Sequence, residues 1–496
     1  MTNEDGFAVA DKYAEMDKIE NFLVPKNPKN VTFWYQKILK LAIFMIMKRT
    51  FNNQLLAWKK NPNRKPLIIK GVRQVGKTYI LNEFGKNYFP AFHYFNFEKE
   101  ERLAKIFEYD LDPMRILNEF SLRSGRAIDI QNDLVVFDEI QACPRALTSL
   151  KYFNEDMPQL SLCSAGSLLG IHLGESSYPV GKVDMLTMHP LSFEEFLLAL
   201  GDERYLQILQ QIKNDLWEPQ KDKSQLRIPE SAHEYLWNQL KIYLVVGGLP
   251  EVVKTYVEKK GDLYFSLKES RRIQEQLIIA YYADMAKHAG KVNAMHINRV
   301  WNAIPEQLAL SQDGSAQKFK FKGVIPGKAG FNRLAHAIDW LEAAGLIIKI
   351  PITKSGNLPF SAYTKENTFK LLCFDVGILG ALSGLSFDVI LDYDYGSYKG
   401  YFAENYVAQE FLCSGIKLFS WVEGTAEVEF LIQAAGKVIP VEVKSGWITK
   451  AKSLYSFKEK YHPPYQIIFS AKGLHIDTRG HNYLLPLYLA GFHNTI

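Results

Sequence analysis

At 496 residues, with 47% apolar and 23% charged residues, the chain has ordinary globular composition and length for roughly two to four domains. Its net charge of +5 neither demands nor excludes a nucleic-acid partner, so any such argument must be local. No apolar run approaches the roughly 18 residues of a membrane-crossing helix. The scattered cysteines Cys143, Cys163, Cys373 and Cys413 lack metal spacing and read as reduced core thiols of a cytoplasmic protein.

Residues 1–46 are polar and weakly patterned and are expected to lie ahead of the fold, with Met45 or Met47 as an alternative start. The run LAIFMIM is too short for a membrane span, and without a small-residue cleavage site it does not read as a signal peptide. MKRTFNNQLLAWKK then predicts an amphipathic helix. From Phe51 to about Leu200 the runs PLIIK, AFHYFNFE, LVVFDEI and LSLCSAGS alternate with helical patterns, which predicts a parallel sheet flanked by helices. A charged helical stretch over 201–243 leads to YLVVGGLPEVV, where Gly247, Gly248 and Pro250 mark a turn. Residues 246–350 read as helical, and FNRLAHAIDWLEAAGLIIKIPI suggests a winged-helix unit. A connector from Pro351 to Pro359 opens the last block, 351–496.

GVRQVGKT, behind the strand PLIIK, has the spacing G-x-x-x-x-G-K-[ST]. Such a loop curls on its glycines so that backbone N–H groups face a triphosphate, and the following helix adds the partial charge of its N-terminus. The expected nucleotide contacts are Gly71, Val72, Arg73, Gln74, Val75, Gly76, Lys77, Thr78 and Tyr79, with Lys77 on the β- and γ-phosphates and Thr78 on Mg²⁺. In DLVVFDEIQ a buried strand runs into two acids. Asp138 suits the Mg²⁺ shell, and Glu139 suits polarising the attacking water. Ser167, or else Ser164, is the candidate for sensing the γ-phosphate, although a strand-end serine also caps helices. Arg73, Arg145, Arg271 and Arg272 are the candidates for an arginine finger, and no spacing decides among them. These features make 47–245 a P-loop NTPase domain.

With GVRQVGKT, LVVFDEIQACPRALTSLKYF, AGSLLG, MHPLSFEEFL, YLVVGGLPEVV, FDVGILGAL, YFAENYVAQEF and IPVEVKSG in order, the chain resembles bacterial and archaeal AAA-type ATPases. Those proteins are often labelled archaeal-type ATPases and carry a C-terminal domain of unknown function related to the PD-(D/E)xK nucleases. The resemblance runs from about Met47 to the C-terminus. It implies ATP and Mg²⁺ at the loop and a restriction-endonuclease-like α/β fold over 351–496. Gly181-Lys182 stands where such proteins usually have Gly-Arg, so a role in trans for Lys182 is not carried over.

In the last block VIPVEVK alternates, so Glu442 and Lys444 share one strand face. Glu429 sits on its own alternating strand upstream, and pairing of the two strands would gather Glu429, Glu442 and Lys444, with Glu404 as a third acid. Two carboxylates can hold a divalent metal while a lysine positions water, which is the PD-(D/E)xK arrangement. An exposed ion pair explains E-x-K on spacing alone. Glu429 also departs from the Asp usual in that family, which separates keeping the fold from keeping cleavage. Lysines 437, 444, 450, 452, 458, 460 and 472, interleaved with Tyr455, Phe457, Tyr461 and Tyr465, suit either a phosphate-backbone surface or a solvated helix with a buried aromatic stripe.

Two readings follow. One is an ATPase that drives a C-terminal block which binds, and in the fuller version cleaves, nucleic acid, DNA ahead of RNA. The other is a nucleotide-dependent switch or scaffold whose C-terminal block performs no chemistry and binds a protein or DNA partner, self-association included. A kinase on the same loop is weaker, because no acceptor site is visible.

Overall fold

The computed structural model describes residues 48–167, 179–218, 221–309, 318–396, 398–446, 452–477 and 479–491. The expected N-terminal extension and Lys450 lie outside them. The described residues belong to one compact unit, Lys48–Ile496. Among them no helix is long and apolar enough to cross a membrane.

After helix α1 (Phe51–Lys60) comes a five-stranded sheet of β1 (Leu67–Lys70), β2 (Phe92–Asn96), β3 (Leu134–Asp138), β4 (Ser161–Gly166) and β5 (Asp184–Thr187), in the order β2-β3-β4-β1-β5. Every pairing is parallel. β3 and β4 are buried at every position, as a central parallel strand covered on both faces must be. Helix α2 (Lys77–Tyr88) meets the sheet through Gly85, where a Cβ would overlap the Phe92 ring. β5, with the sequence DMLT, is a strand that sequence reading did not find. It is a short edge strand whose burial alternates, so it has no apolar run to announce it.

Helix α3 (Phe193–Leu200) starts at a capping box built by Ser192 and Glu195. The chain continues through α4 (Glu230–Val246), α5 (Pro250–Lys259), the long α6 (Leu263–Ala289) and α7 (Ala335–Ala343). Gly345, with φ 75°, then turns it into β6 (Ile347–Thr353). The helix, glycine turn and strand are thus present. β6, however, pairs antiparallel with β7 (Thr364–Cys373) and parallel with β8 (Phe419–Glu423) inside an eight-stranded mixed sheet. A cut between residues 350 and 351 would pass through this strand. That sheet runs β12-β13-β11-β10-β9-β8-β6-β7. Its remaining strands are β9 (Ala426–Ala434), β10 (Lys437–Val443), β11 (Gln466–Ser470), β12 (His475–Asp477) and β13 (Asn482–Pro486). Helices α8 (Val376–Leu382), α9 (Tyr398–Cys413) and α10 (Lys452–Tyr461) flank it.

α9 carries the stretch AENYVAQEF, buried from end to end, with its amide and acid side chains engaged. Asn405 accepts from Cys373 N at 2.8 Å and donates back to Cys373 O at 2.9 Å. Gln409 accepts from Val376 N at 2.9 Å and donates to Tyr243 Oη at 2.8 Å. Glu410 accepts from Phe193 N at 2.9 Å. Buried polar groups persist only when paired in this way.

The GGLP turn joins the two halves. Asp375 is fully buried; its Oδ2 accepts from Gly248 N at 2.7 Å and its Oδ1 from Ile378 N at 3.0 Å, capping α8. A side chain at either glycine is excluded: a Cβ on Gly247 would strike the Asp375 carboxylate, and one on Gly248 the Leu191 backbone. Burial pushes the Asp375 carboxyl up to about 6, against the lowering effect of the backbone N–H donors. Replacing Asp375 with Ala orphans two buried N–H groups, and about 2–5 kcal/mol of stability should be lost in chemical denaturation. Asp375→Asn, which keeps one acceptor oxygen, should lose less.

Candidate nucleotide site

The apolar strand β1 delivers the chain to Gly71, where a Cβ would overlap the Met188 carbonyl oxygen, so only glycine lets the loop start here. Met188 N donates to Lys70 O at 2.8 Å, fixing this close approach. At the far end Gly76 has φ 98°, a left-handed conformation that side chains resist. Gln74 adopts φ 68° between them. Lys77, the first residue of α2, is buried, and its Nζ donates to Gly71 O at 2.8 Å and Val72 O at 3.0 Å. Burial draws its pKa down to about 8, with Glu139 and Asp138 pulling the other way.

Asp138, at the buried end of β3, is the organising acceptor. Its Oδ2 takes hydrogen bonds from Thr78 Oγ1 at 2.7 Å and Tyr94 Oη at 2.6 Å, and its Oδ1 takes one from Glu139 N at 3.0 Å. Thr78 and Asp138 therefore converge on one point. The pair fits Mg²⁺, since a hard cation seated there would meet a hydroxyl and a carboxylate oxygen already aimed at each other. Glu139 sits at φ 51°, an unusual setting for a side-chain-bearing residue, at the point where the chain leaves β3. Gln141 Nε2 donates to that carboxylate, and burial raises its pKa. Tyr94 and Asn96 are site residues that sequence reading missed. The register of β2 on β3 sets Asn96 opposite Asp138, and their signal was the alternation of FHYFN.

Ser167 lies just beyond β4, at the ends of the parallel strands where ligands bind in such sheets. It lines a cavity of about 270 Å³ together with Gly71, Val72 and Thr187. Ser164 is fully buried within β4, between Ile68 and Phe137. Of the arginines, Arg73 is ion-paired to Asp284 of α6, with Glu98 at 3.5 Å. Tyr281 of the same helix donates to Arg73 O at 2.9 Å. Arg145 donates to Phe107 O. Arg271 donates to Gly377 O at 3.3 Å, and exposed Arg272 pairs with Glu269 at 3.2 Å. Lys182, at the surface, pairs with Glu155 at 3.0 Å. Arg49 supports the loop from behind: it donates to Val75 O at 3.2 Å and His189 O at 2.6 Å and pairs with Glu195 at 3.1 Å.

In the larger sheet, Glu429 and Glu442 lie one step beyond the Val441–Phe430 pair of β9 and β10. Lys444 Nζ is 2.5 Å from Glu442 and 3.8 Å from Glu429. Burial first, and the neighbouring Glu442 second, hold the Glu429 carboxyl well above the usual range. Glu404 lies near enough for its charge to act on Lys444 as well. It contacts the fully buried Lys370 at 3.0 Å, which also meets Glu427 at 2.7 Å. Among the described residues no group of three or more His, Cys, Asp or Glu is placed to hold a metal ion. The lysine–aromatic series divides: Phe457 is core, Tyr461 packs on it and on Trp421, Tyr465 stacks on Tyr483, and Tyr455 is exposed. The stripe is therefore mostly core packing. Lys460 pairs with Glu423, and Lys458 donates to Gly480 O.

Residues 63–197 match the model of an AAA domain. Residues 238–388 match a domain of unknown function, DUF8612, and 399–490 another, DUF4143. No curated protein matches the chain. Among solved structures, the Thermotoga maritima RuvB Holliday junction branch migration motor is 12% identical at a TM-score of 0.28, covering 66% of this chain and 94% of that chain. A chain of Drosophila ORC bound to DNA is 16% identical at 0.23, covering 67% and 94%. At those scores neither carries an argument. The AAA match and the loop geometry together mark a nucleotide-binding domain of a class that hydrolyses ATP.

Only the ammonium form of Lys77 can pair with phosphates, and in the free protein it deprotonates near pH 8. Because bound phosphates raise that pKa, the sign is fixed: affinity for a fluorescent ATP analogue is level below pH 8. Above it, affinity falls by up to about tenfold per pH unit. Lys77→Arg should flatten the profile.

Proposed function

We propose that this chain is an AAA-type ATPase that hydrolyses ATP with Mg²⁺ at the loop 71–78 and uses the cycle to reposition its C-terminal block against a partner. The observation that carries the ATPase reading is the convergence of Thr78 and Asp138 beside buried Lys77, with Glu139 turned out of β3 next to them. Lys77 holds the β- and γ-phosphates, Gly71 to Tyr79 wrap them, and Glu139 orients and polarises the attacking water. Mg²⁺, when bound between Thr78 and Asp138, supplies neutralisation of the charge on the phosphate oxygens. In this reading Ser167 senses the γ-phosphate.

Nucleic acid, DNA ahead of RNA, is the partner class that the surface lysines of the last block favour. Glu429, Glu442 and Lys444 are the groups a nuclease reading would use. The scaffold reading, in which this block performs no chemistry, is favoured by one observation: Lys370 already pairs with Glu404 and Glu427.

Glu139→Gln should retain ATP affinity and lower the phosphate-release rate by about a hundredfold or more, whereas Lys77→Ala should lose binding itself. A Glu139→Gln protein hydrolysing at the wild-type rate would remove Glu139 from this role.

A further inference from the structure

Lys370 lies in TFKLLC on β7, a run whose second half is apolar, and its side chain has no solvent exposure. An ammonium there has lost its hydration, and burial alone would lower its pKa. Glu404 and Glu427, followed by Glu429, outweigh that and hold the charge on. The two contacts, 3.0 Å to Glu404 Oε1 and 2.7 Å to Glu427 Oε1, come from a helix and from a strand other than its own. A second ammonium, Lys444, faces Glu442 and Glu429 from the half-open side. Four glutamates therefore meet two lysines in one neighbourhood.

A divalent cation needs several hard oxygens converging on one point. Here the oxygens of Glu404 and Glu427 converge on an ammonium. A cation drawn to the remaining acids would find the carboxylates of Glu429 and Glu442, with Lys444 already on one oxygen of Glu442, fewer hard oxygens than such a cation takes. A metal and this arrangement do not fit together.

We infer that Lys370 takes up with its ammonium the Glu404 and Glu427 oxygens that a metal-dependent nuclease could turn toward a cation, so that the acidic cluster is a structural joint and does not cleave. The inference deepens the scaffold reading of the C-terminal block and makes no use of ATP hydrolysis. Its physical role is to tie β7, α9 and β9 together. β7 then runs on, through Cys373, to Asp375 at the GGLP turn.

The probe is Mn²⁺ alone, without nucleotide, followed by electron paramagnetic resonance and by thermal unfolding of the full chain. Wild type should take up no equivalent of Mn²⁺ that Glu442→Gln abolishes, and millimolar Mn²⁺ should leave its melting temperature unchanged. Weak uptake removed by Thr78→Ala instead belongs to the nucleotide site and leaves the inference standing. Lys370→Met should melt at least a few degrees lower, since it removes the counter-charge of buried Glu404 and of partly exposed Glu427. Lys370→Met with Glu404→Gln should recover much of that loss, a rescue that a purely packing role for Lys370 would not give. One equivalent of Mn²⁺ lost in Glu442→Gln would overturn the inference, as would Mn²⁺-dependent cutting of DNA by wild type. A double variant no better than the single one would do so too. Should Lys370→Met fail to fold, the wild-type and Glu442→Gln titrations still decide. Phosphate release measured on the same wild-type preparation separates this outcome from failure of the ATPase reading.

Discussion

A buried carboxylate and two missing side chains hold the molecule in register. Asp375 reaches the backbone of the GGLP turn only because Gly247 and Gly248 carry no Cβ, and it returns the favour by capping α8. A buried carboxylate without such donors would be expelled or protonated. With them it is a rigid pin between the helices that follow the AAA region and β7, an edge strand of the large sheet. Leu191 N donates to Gly248 O at 2.7 Å, so the same turn also grips the segment leading into α3.

The phosphate loop leans on the same elements. Arg73 pairs with Asp284 of α6, Tyr281 donates to its carbonyl, and α6 in turn holds the GGLP region through Gln274, which donates to Val245 O at 2.8 Å and Val246 O at 2.9 Å. Arg49 and Glu195 brace the loop from the opposite side. A loop so tethered is poorly able to change shape alone. These contacts link the loop to α6, and α6 to the turn that Asp375 pins.

What could be read in the sequence follows from how local each signal is. The loop and the β3 acids were legible because glycine spacing, an apolar strand and a strand-end acid pair all lie within a few residues of one another. Glu442 and Lys444 were legible through strand alternation, and Glu429 through a neighbouring strand. Lys370 was not. A lysine in the apolar half of a strand reads as an exception facing water, and only its partners on α9 and β9 make it a buried cation. Asn405, Gln409 and Glu410 were hidden for the same reason, since their backbone partners are remote in sequence. The winged-helix reading had the right helix, turn and strand, but strand pairing in a larger sheet is a non-local choice that periodicity does not report. Tyr94 needed the register of β2 against β3, which no single strand carries.

On the proposed function, the nucleotide loop and the C-terminal block move as mechanically connected parts. Amide hydrogen exchange on Glu139→Gln, compared with and without ATP, tests it most directly. The account predicts altered protection at 71–78 together with α6, residues 245–250 and α8. Changes confined to the loop and to 138–141, with α6 and α8 untouched, would contradict it.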